Sequence, residues 1–241
     1  MAFRLAQELR ILRSLFRGLS GEGSHQDRLT RFYGAQADGY DGFRERLLHG
    51  RQTLIDELPL AAGQSVVELG GGTGRNLAFF GKRLRELARV EVVDLCAPLL
   101  HVARQRLAGH DNVHLIEADA TSYQPSSPVD AVYFSYSLTM IPDWFAAIDN
   151  ALAMLRPGGT VGVVDFYVSR RYPEAGLTRH AALTQIFWPL WFRHDGVILS
   201  ADHLPYLRRR LDTVFLRESS GPLPYVPMLR VPHYVFIGRK R

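Results

Sequence analysis

Cysteine is nearly absent: Cys96 is the only one in 241 residues, which excludes an internal disulfide and a cysteine-based zinc site. That usage fits a reducing compartment. Long apolar runs are missing too. No stretch approaches the roughly 20 apolar residues of a spanning helix. The opening "MAFRLAQELR" lacks the compact apolar core and cleavage site of a signal peptide, so a cytoplasmic protein is expected. Acid is in deficit, with 24 Asp+Glu against 29 Lys+Arg, a formal charge of +5 and a pI near 9.5. This balance favours an anionic partner, either nucleic acid or an acidic lipid surface. No internal repeat or low-complexity tract is present. With 46% hydrophobic and 22% charged residues, disorder and fibrous classes are excluded, and the length suits one α/β domain with additions.

Residues 3–19 read as a helix: Leu5, Leu9, Leu12, Phe16 and Leu19 recur at spacings of three and four, while Arg10, Arg13 and Arg17 group on another face. Such a basic amphipathic helix either lies on a membrane surface or packs on protein. "SGEGS" (20–24) is a flexible joint, so the expected division is 1–24 and a domain over 25–241. From Asp27 to Leu58 the pattern is helical, broken near Gly39 to Gly42. Short β-branched runs follow at 65–69, 90–95, 113–119, 131–136 and 160–166, alternating with helical stretches such as "APLLHVARQRLAG" and "WFAAIDNALAMLRPGG". This alternation implies a doubly wound parallel sheet. Two further strand-like runs, "DTVFLRES" and "HYVFIGRK", flank a Pro-rich loop near the end.

The first strand runs into "ELGGGTGRN", where a glycine loop lets backbone approach a ligand at the carboxyl end of a sheet. A nicotinamide fingerprint counted from Gly70 would need glycine where Arg75 stands, and no Lys-Ser or Lys-Thr follows to make a phosphate-binding loop. What does match is Glu-x-Gly-x-Gly-x-Gly, with Glu68, Gly70, Gly72 and Gly74, followed by acids ending the second and third strands, Asp94 and Asp119, and by "LRPGG" (155–159).

On these residues the chain resembles the class I S-adenosylmethionine-dependent methyltransferases. The resemblance implies a seven-stranded, mostly parallel Rossmann-like sheet with N-terminal helices and a helical insertion after the fifth strand, 167–210, on the substrate side. It implies that Asp94, with Leu95 beside it, accepts the ribose hydroxyls of S-adenosylmethionine, that Asp119 meets the adenine amino group and that the Ala120 amide meets a ring nitrogen. Arg51 is assigned to the cofactor carboxylate, since a guanidinium binds carboxylates in bidentate fashion, and Tyr33, Tyr40 and Ser135 complete the cofactor set.

Outside the cofactor core, "FYGAQADGYDGFRERLLHGR" (32–51), "SYSLTMIPDW" (135–144) and "FWPLWFRHDGVILSADHLPYL" (187–207) resemble the N-methyltransferase of betaine-lipid synthesis. That family converts the amine of diacylglyceryl-homoserine to the trimethylammonium of diacylglyceryl-N,N,N-trimethylhomoserine. The resemblance implies a lipid substrate, an enzyme peripheral on the inner face of the membrane, and the N-terminal helix as contact with an anionic surface. Enzymes acting on phosphatidylethanolamine or on quinones and other small molecules share the style of the 32–51 segment and stay open as alternatives. Aminopropyl transfer is not excluded by the glycine motif, and an RNA-binding protein that kept the fold is the alternative of another class. Nucleic acid is not expected as a partner, because the Asn/Asp-Pro-Pro-Tyr signature of base methylation is absent: that place reads "FSYSLTM".

A neutral amine attacking a methyl sulfonium needs alignment and exclusion of water more than a dedicated catalytic group. A proton must still leave the amine, and His49, His194 and His203 are histidines in the family-like segments. Tyr33, Tyr40 and Tyr136 offer aromatic faces to the growing positive charge. The catalytic candidates are therefore Tyr40, His49, Tyr136 and His194. Arg171 or Arg193 could meet the homoserine carboxylate. In "IFWPLWFRHDG" (186–196), Pro189 is expected to break a helix interior, and Trp188, Trp191 and Phe192 are read as a lid meeting acyl chains, with His194 or Asp195 near the head group. Buried packing is the competing reading of the same aromatics. No metal site is expected.

Overall fold

The computed structural model describes residue 26 and residues 46–193, 196–224 and 226–241. The expected helix at 3–19, its joint, Tyr33, Tyr40, His194 and Asp195 lie outside the described residues.

Five α-helices are described: α1 (Arg51–Glu57), α2 (Ala97–Arg106), α3 (Trp144–Met154), α4 (Ala182–Arg193) and α5 (His203–Arg210). The seven strands are β1 (Ser65–Leu69), β2 (Arg89–Asp94), β3 (Val113–Glu117), β4 (Val129–Ser135), β5 (Leu155–Phe166), β6 (Leu211–Leu223) and β7 (Val226–Lys240). They form one sheet in the order β3-β2-β1-β4-β5-β7-β6, with β1 to β5 parallel and β7 antiparallel to both of its neighbours. This is the doubly wound, mostly parallel sheet expected from the alternation of strands and helices.

Because side chains alternate along a strand, each central strand feeds two cores. Val66 and Tyr133 face one apolar cluster with Leu54, Ile55 and Leu58 from the α1 region; Val67 and Val132 face the other with Ile148 and Ala151 of α3. All nine are at most 2% exposed, and burying an aliphatic side chain of this kind stabilises by about 1.5–3 kcal/mol, so these layers dominate the fold. Asp130 at the start of β4 accepts the Ser65 amide at 2.9 Å and pairs with Arg156, which ties the amino ends of β1, β4 and β5.

Three local expectations are corrected. Helix α4 runs through Pro189. Proline in a helix interior costs about 3 kcal/mol. Trp188 and Phe192, both 4% exposed on the inner face, offset that by roughly the burial of two aromatic side chains. Strand β5 begins at Leu155 and takes in "LRPGG", with its register against β4 shifting between Val129 and Ala131. The Pro-rich loop is instead ladder: Ser220 pairs with Pro232 and Pro222 with Arg230. Strand β6 is an edge strand, where the missing N–H of Pro222 need not interrupt a second ladder.

Candidate active site at the carboxyl ends of the strands

The chain leaves β1 through Gly70 at φ +73° and Gly72 at φ +54°, the left-handed region that glycine adopts without strain. A Cβ on Gly70 would lie 2.4 Å from the Ser137 Cβ, so close approach to the loop after β4 requires glycine here. The loop continues into a 3-10 segment, Arg75–Glu86, kinked at Gly81.

Asp94, ending β2, holds this loop. Its Oδ2 accepts the Gly72 amide at 2.8 Å and its Oδ1 accepts the Cys96 amide at 2.8 Å, joining the glycine turn to the start of α2. Arg106, at the far end of α2, donates to the Thr73 carbonyl and hydroxyl, both at 2.8 Å. Asp119 folds the turn after β3 by accepting the Thr121 amide and hydroxyl, each at 2.8 Å. Asn150 of α3 donates to the Ala120 carbonyl at 3.0 Å. A carboxylate accepts up to about four hydrogen bonds, so Asp119 keeps lone pairs for a ligand beside its two bonds from Thr121.

A cavity of about 420 Å3 opens above these turns, lined among others by Gly70, Gly72, Asp94, Leu95, Asp119, Ala120 and Tyr136. A smaller one of about 50 Å3 lies across the loop, lined by Arg51, Gly70, Gly72, Ser135 and Tyr136 with their neighbours. The structure thus brings together most of the expected cofactor set. The Ser135 hydroxyl is buried against the small cavity with no hydrogen-bond partner, the kind of orphaned group a polar ligand satisfies. Beside it the Arg51 guanidinium donates to the Leu48 carbonyl at 3.1 Å and to Asn76 Oδ1 at 3.3 Å.

Glu68 and Gly74 line neither of these two cavities and support the loop from behind. Gly74 packs against Ala103 and Leu107 of α2 and its following residue. Glu68 is fully buried beneath the loop, accepting Asn76 Nδ2 at 2.6 Å and the Tyr133 hydroxyl at 2.9 Å. Burial pushes its carboxyl up to about 7 despite those two bonds. Glu68 therefore braces the loop and, through Asn76, the Arg51 guanidinium.

Tyr136 is the one non-glycine at positive φ among the described residues, at 55°. Its amide donates to the Val164 carbonyl at 2.8 Å and its hydroxyl to the His49 carbonyl at 2.6 Å, while Phe166 packs on its ring at 4.6 Å. A strained backbone over-determined in this way, at the junction of two cavities, marks a functional position. Asp165, ending β5, accepts the Thr139 amide at 3.1 Å and hydroxyl at 2.8 Å and so holds the same loop; burial pushes its carboxyl up to about 7.

The other substrate candidates fall elsewhere. His49 lines neither cavity; its Nε2 lies 3.1 Å from the Pro222 carbonyl and its ring 5.8 Å from His233. His203 is wholly buried on the α3 side, edge-on to Trp144 at 4.5 Å, with both ring nitrogens unpartnered and its pKa lowered by burial to about 3. Neither is placed to take a proton in the cavity. Arg171 lies over the exposed Tyr172 ring at 5.5 Å, away from both cavities. Trp188 and Phe192 are core, Phe192 stacking on Phe166 at 4.7 Å, and only Trp191 keeps substantial exposure, at 43%. The lid reading therefore gives way to buried packing for two of the three aromatics.

Gln26, Met140, Ile141, Pro142 and Asp143 line the large cavity and were not singled out from the sequence. Gln26 donates to the Leu95 carbonyl at 3.2 Å and to Glu117 at 3.1 Å. No local motif marks it. The other four follow the β4 strand in "SYSLTMIPDW", where position after a strand is the available signal.

Residues 66–159 match the family model described as a methyltransferase domain. The trans-aconitate 2-methyltransferase of Azoarcus sp. (strain BH72) is 31% identical over 135 residues, 56% of this chain and 51% of that protein. The chain thus spans about half the length of this curated relative. The 2-phytyl-1,4-naphtoquinone methyltransferase of Thermosynechococcus vestitus is 26% identical over 83% of this chain and 89% of its own. Among solved structures, the N-methyltransferase NodS of Bradyrhizobium japonicum WM9 in complex with S-adenosyl-L-homocysteine superposes with a TM-score of 0.65, at 18% identity over 88% of this chain and 98% of that one. With the glycine turn, the two strand-end acids and the sheet order in place, residues 66–159 are similar to a methyltransferase domain, and the chain has the Rossmann-like fold of its structural neighbours.

Proposed function

We propose that the protein is an S-adenosylmethionine-dependent enzyme that N-methylates diacylglyceryl-homoserine to the trimethylated betaine lipid. The observation that carries the cofactor is that Gly72, Asp94 and Asp119 line one cavity while Arg51 and the orphaned Ser135 hydroxyl line the small one across the glycine loop. These residues fit a ligand with a nucleoside at one end and an amino acid at the other. Asp94 accepts the ribose hydroxyls, Asp119 the adenine amino group, and Arg51 with Ser135 holds the amino-acid end. S-adenosylmethionine supplies, when bound, a methyl group on a positively charged sulfur.

The chain's own residues then align and dehydrate the acceptor. Tyr136 joins the two cavities and presents an aromatic face, which favours the charge that grows on the amine. Among the described carboxylates lining the large cavity, Asp94 and Asp119 have cofactor roles. This leaves Asp143, whose Oδ1 also accepts the Ala146 amide at 3.1 Å, as the group placed to take the amine proton. The acceptor reading is supported by the likeness of three segments to the betaine-lipid enzymes, one of which supplies Tyr136, Met140 and Asp143 to this cavity. The basic segment 3–19, whose apolar residues recur at spacings of three and four, holds the enzyme on anionic lipid; no helix among the described residues is long and apolar enough to cross a membrane.

A second reading, methylation of a quinone-type acceptor, is favoured by the likeness to the naphtoquinone enzyme over 83% of the chain. Incubation with methyl-labelled cofactor and diacylglyceryl-homoserine, phosphatidylethanolamine or a demethylated quinone separates the two. Label on diacylglyceryl-homoserine is expected; label on phosphatidylethanolamine or on a quinone alone overturns the proposal.

A further inference from the structure

Helix α4 has a buried face and an uncovered one, and both are apolar. Trp188 and Phe192 point into the core. On the other side Leu183, Ile186 and Leu190, spaced by three and four, are 77%, 60% and 66% exposed, with Trp191 at their edge. A surface helix ordinarily turns charged or polar residues outward on this arc. The Phe187 ring lies 5.5 Å from Trp191 and continues the patch.

Arginines stand at both ends of this helix: Arg193 at its last residue, and Arg179 three residues before its first. Arg171 and Arg179 share the exposed Tyr172 ring, at 5.5 and 5.6 Å, while Arg170 is paired with Asp202. A convex apolar helix flanked by arginines, Trp and Tyr is complementary to the boundary between acyl chains and anionic head groups, where apolar side chains enter the lipid and guanidinium groups meet phosphate. A protein groove would match the apolar arc but gives no reason for the arginines at both ends.

We infer that the outer face of α4 is a membrane-docking surface for anionic bilayers, made of other residues than the basic segment 3–19. It stands whichever acceptor the site methylates.

The test uses the full chain and vesicles of phosphatidylcholine with or without phosphatidylglycerol. Of the three tryptophans Trp188 is buried, Trp144 is half-buried beside Phe145 and Tyr206, and Trp191 is exposed, so the part of the blue shift and of the quenching by brominated acyl chains that Trp191→Phe removes reports Trp191. The expected result is both effects with anionic vesicles, and loss of most of the quenching in Trp191→Phe. The pair Ile186→Glu and Leu190→Glu, on exposed positions, should weaken co-sedimentation by about tenfold or more. Anionic vesicles that bind the unaltered protein with neither shift nor quenching overturn the inference, as does unchanged co-sedimentation of the double variant. So does a double variant that turns a dimer into a monomer while vesicle binding stays the same, because the face then belongs to a second copy. None of these readouts involves methyl transfer, so a wrong acceptor leaves them intact.

Discussion

Two regions of the molecule are built on opposite plans. Around the glycine loop, polar groups near strand ends satisfy one another: Asp94 accepts the backbone amides of Gly72 and Cys96, and Glu68 the side chains of Asn76 and Tyr133. Around α4, α5 and the β6–β7 hairpin, aromatic rings pack on one another, while buried polar atoms such as both His203 nitrogens and the Tyr234 hydroxyl have no partner. Directional bonds hold a fixed geometry; apolar packing tolerates changes of shape. The first region therefore suits a ligand of fixed shape, and the second tolerates substitution.

The largest break in this contrast is Asp94→Ala. It removes the acceptor of two loop amides and, on the proposed cofactor binding, of the ribose hydroxyls, and charge-assisted bonds contribute about 1.5–3 kcal/mol each, so cofactor affinity should fall on the order of a thousandfold. Calorimetric titration that finds unchanged affinity would remove the cofactor assignment. On the opposite side Trp188→Ala should cost about 3–5 kcal/mol of stability, whereas Trp191→Ala should stay within about 1 kcal/mol. Equal losses in urea unfolding would mean that α4 has no free face. Gly70→Ala places a Cβ 2.4 Å from Ser137 at φ +73°, a strain of about 1–3 kcal/mol that should lower both the melting temperature and cofactor affinity.

The smallest effect is pH-dependent. The imidazole of His203 is held at about 3 in the fold against an ordinary value near 6.5, so below pH 6.5 the unfolded chain binds a proton that the native one refuses. Stability from this group is complete above pH 6.5 and is lost as pH falls towards 3. His203→Phe should gain about 1–2 kcal/mol on the parent between pH 7 and pH 5, measured by unfolding at both. Glu68 and Asp165, raised to about 7, act in the reverse sense: their native carboxyls hold protons that the unfolded chain has released, so they lower stability as pH rises from about 4 to 7. Both are present in parent and variant and cancel in the difference. A flat difference would place His203 in contact with a partner or with water.

The glycine turn and the acids of β2 and β3 were legible because each follows from a few adjacent residues: a positive φ demands glycine, and a strand end exposes its acid. The seven-stranded sheet was legible from its rhythm. What was not legible depends on distant chain. Nothing beside Pro189 says that two buried aromatics will carry a helix through it, and nothing beside Pro222 says that its strand lies at an edge. His49 and His203 were drawn to the site by their place in family-like segments. Their side chains lie away from it because the hairpin takes the first and the α3 layer the second.

Cys96 lines the cavity beside Asp94, and burial, with the Asp94 charge adding to it, pushes its thiol up to about 11. At neutral pH almost none of it is thiolate, so alkylating reagents should react slowly and peroxide should leave it reduced. As the only sulfhydryl in the chain it is also a built-in clock: its rate of labelling measures how often the adenosine-sized cavity opens, with no engineered probe.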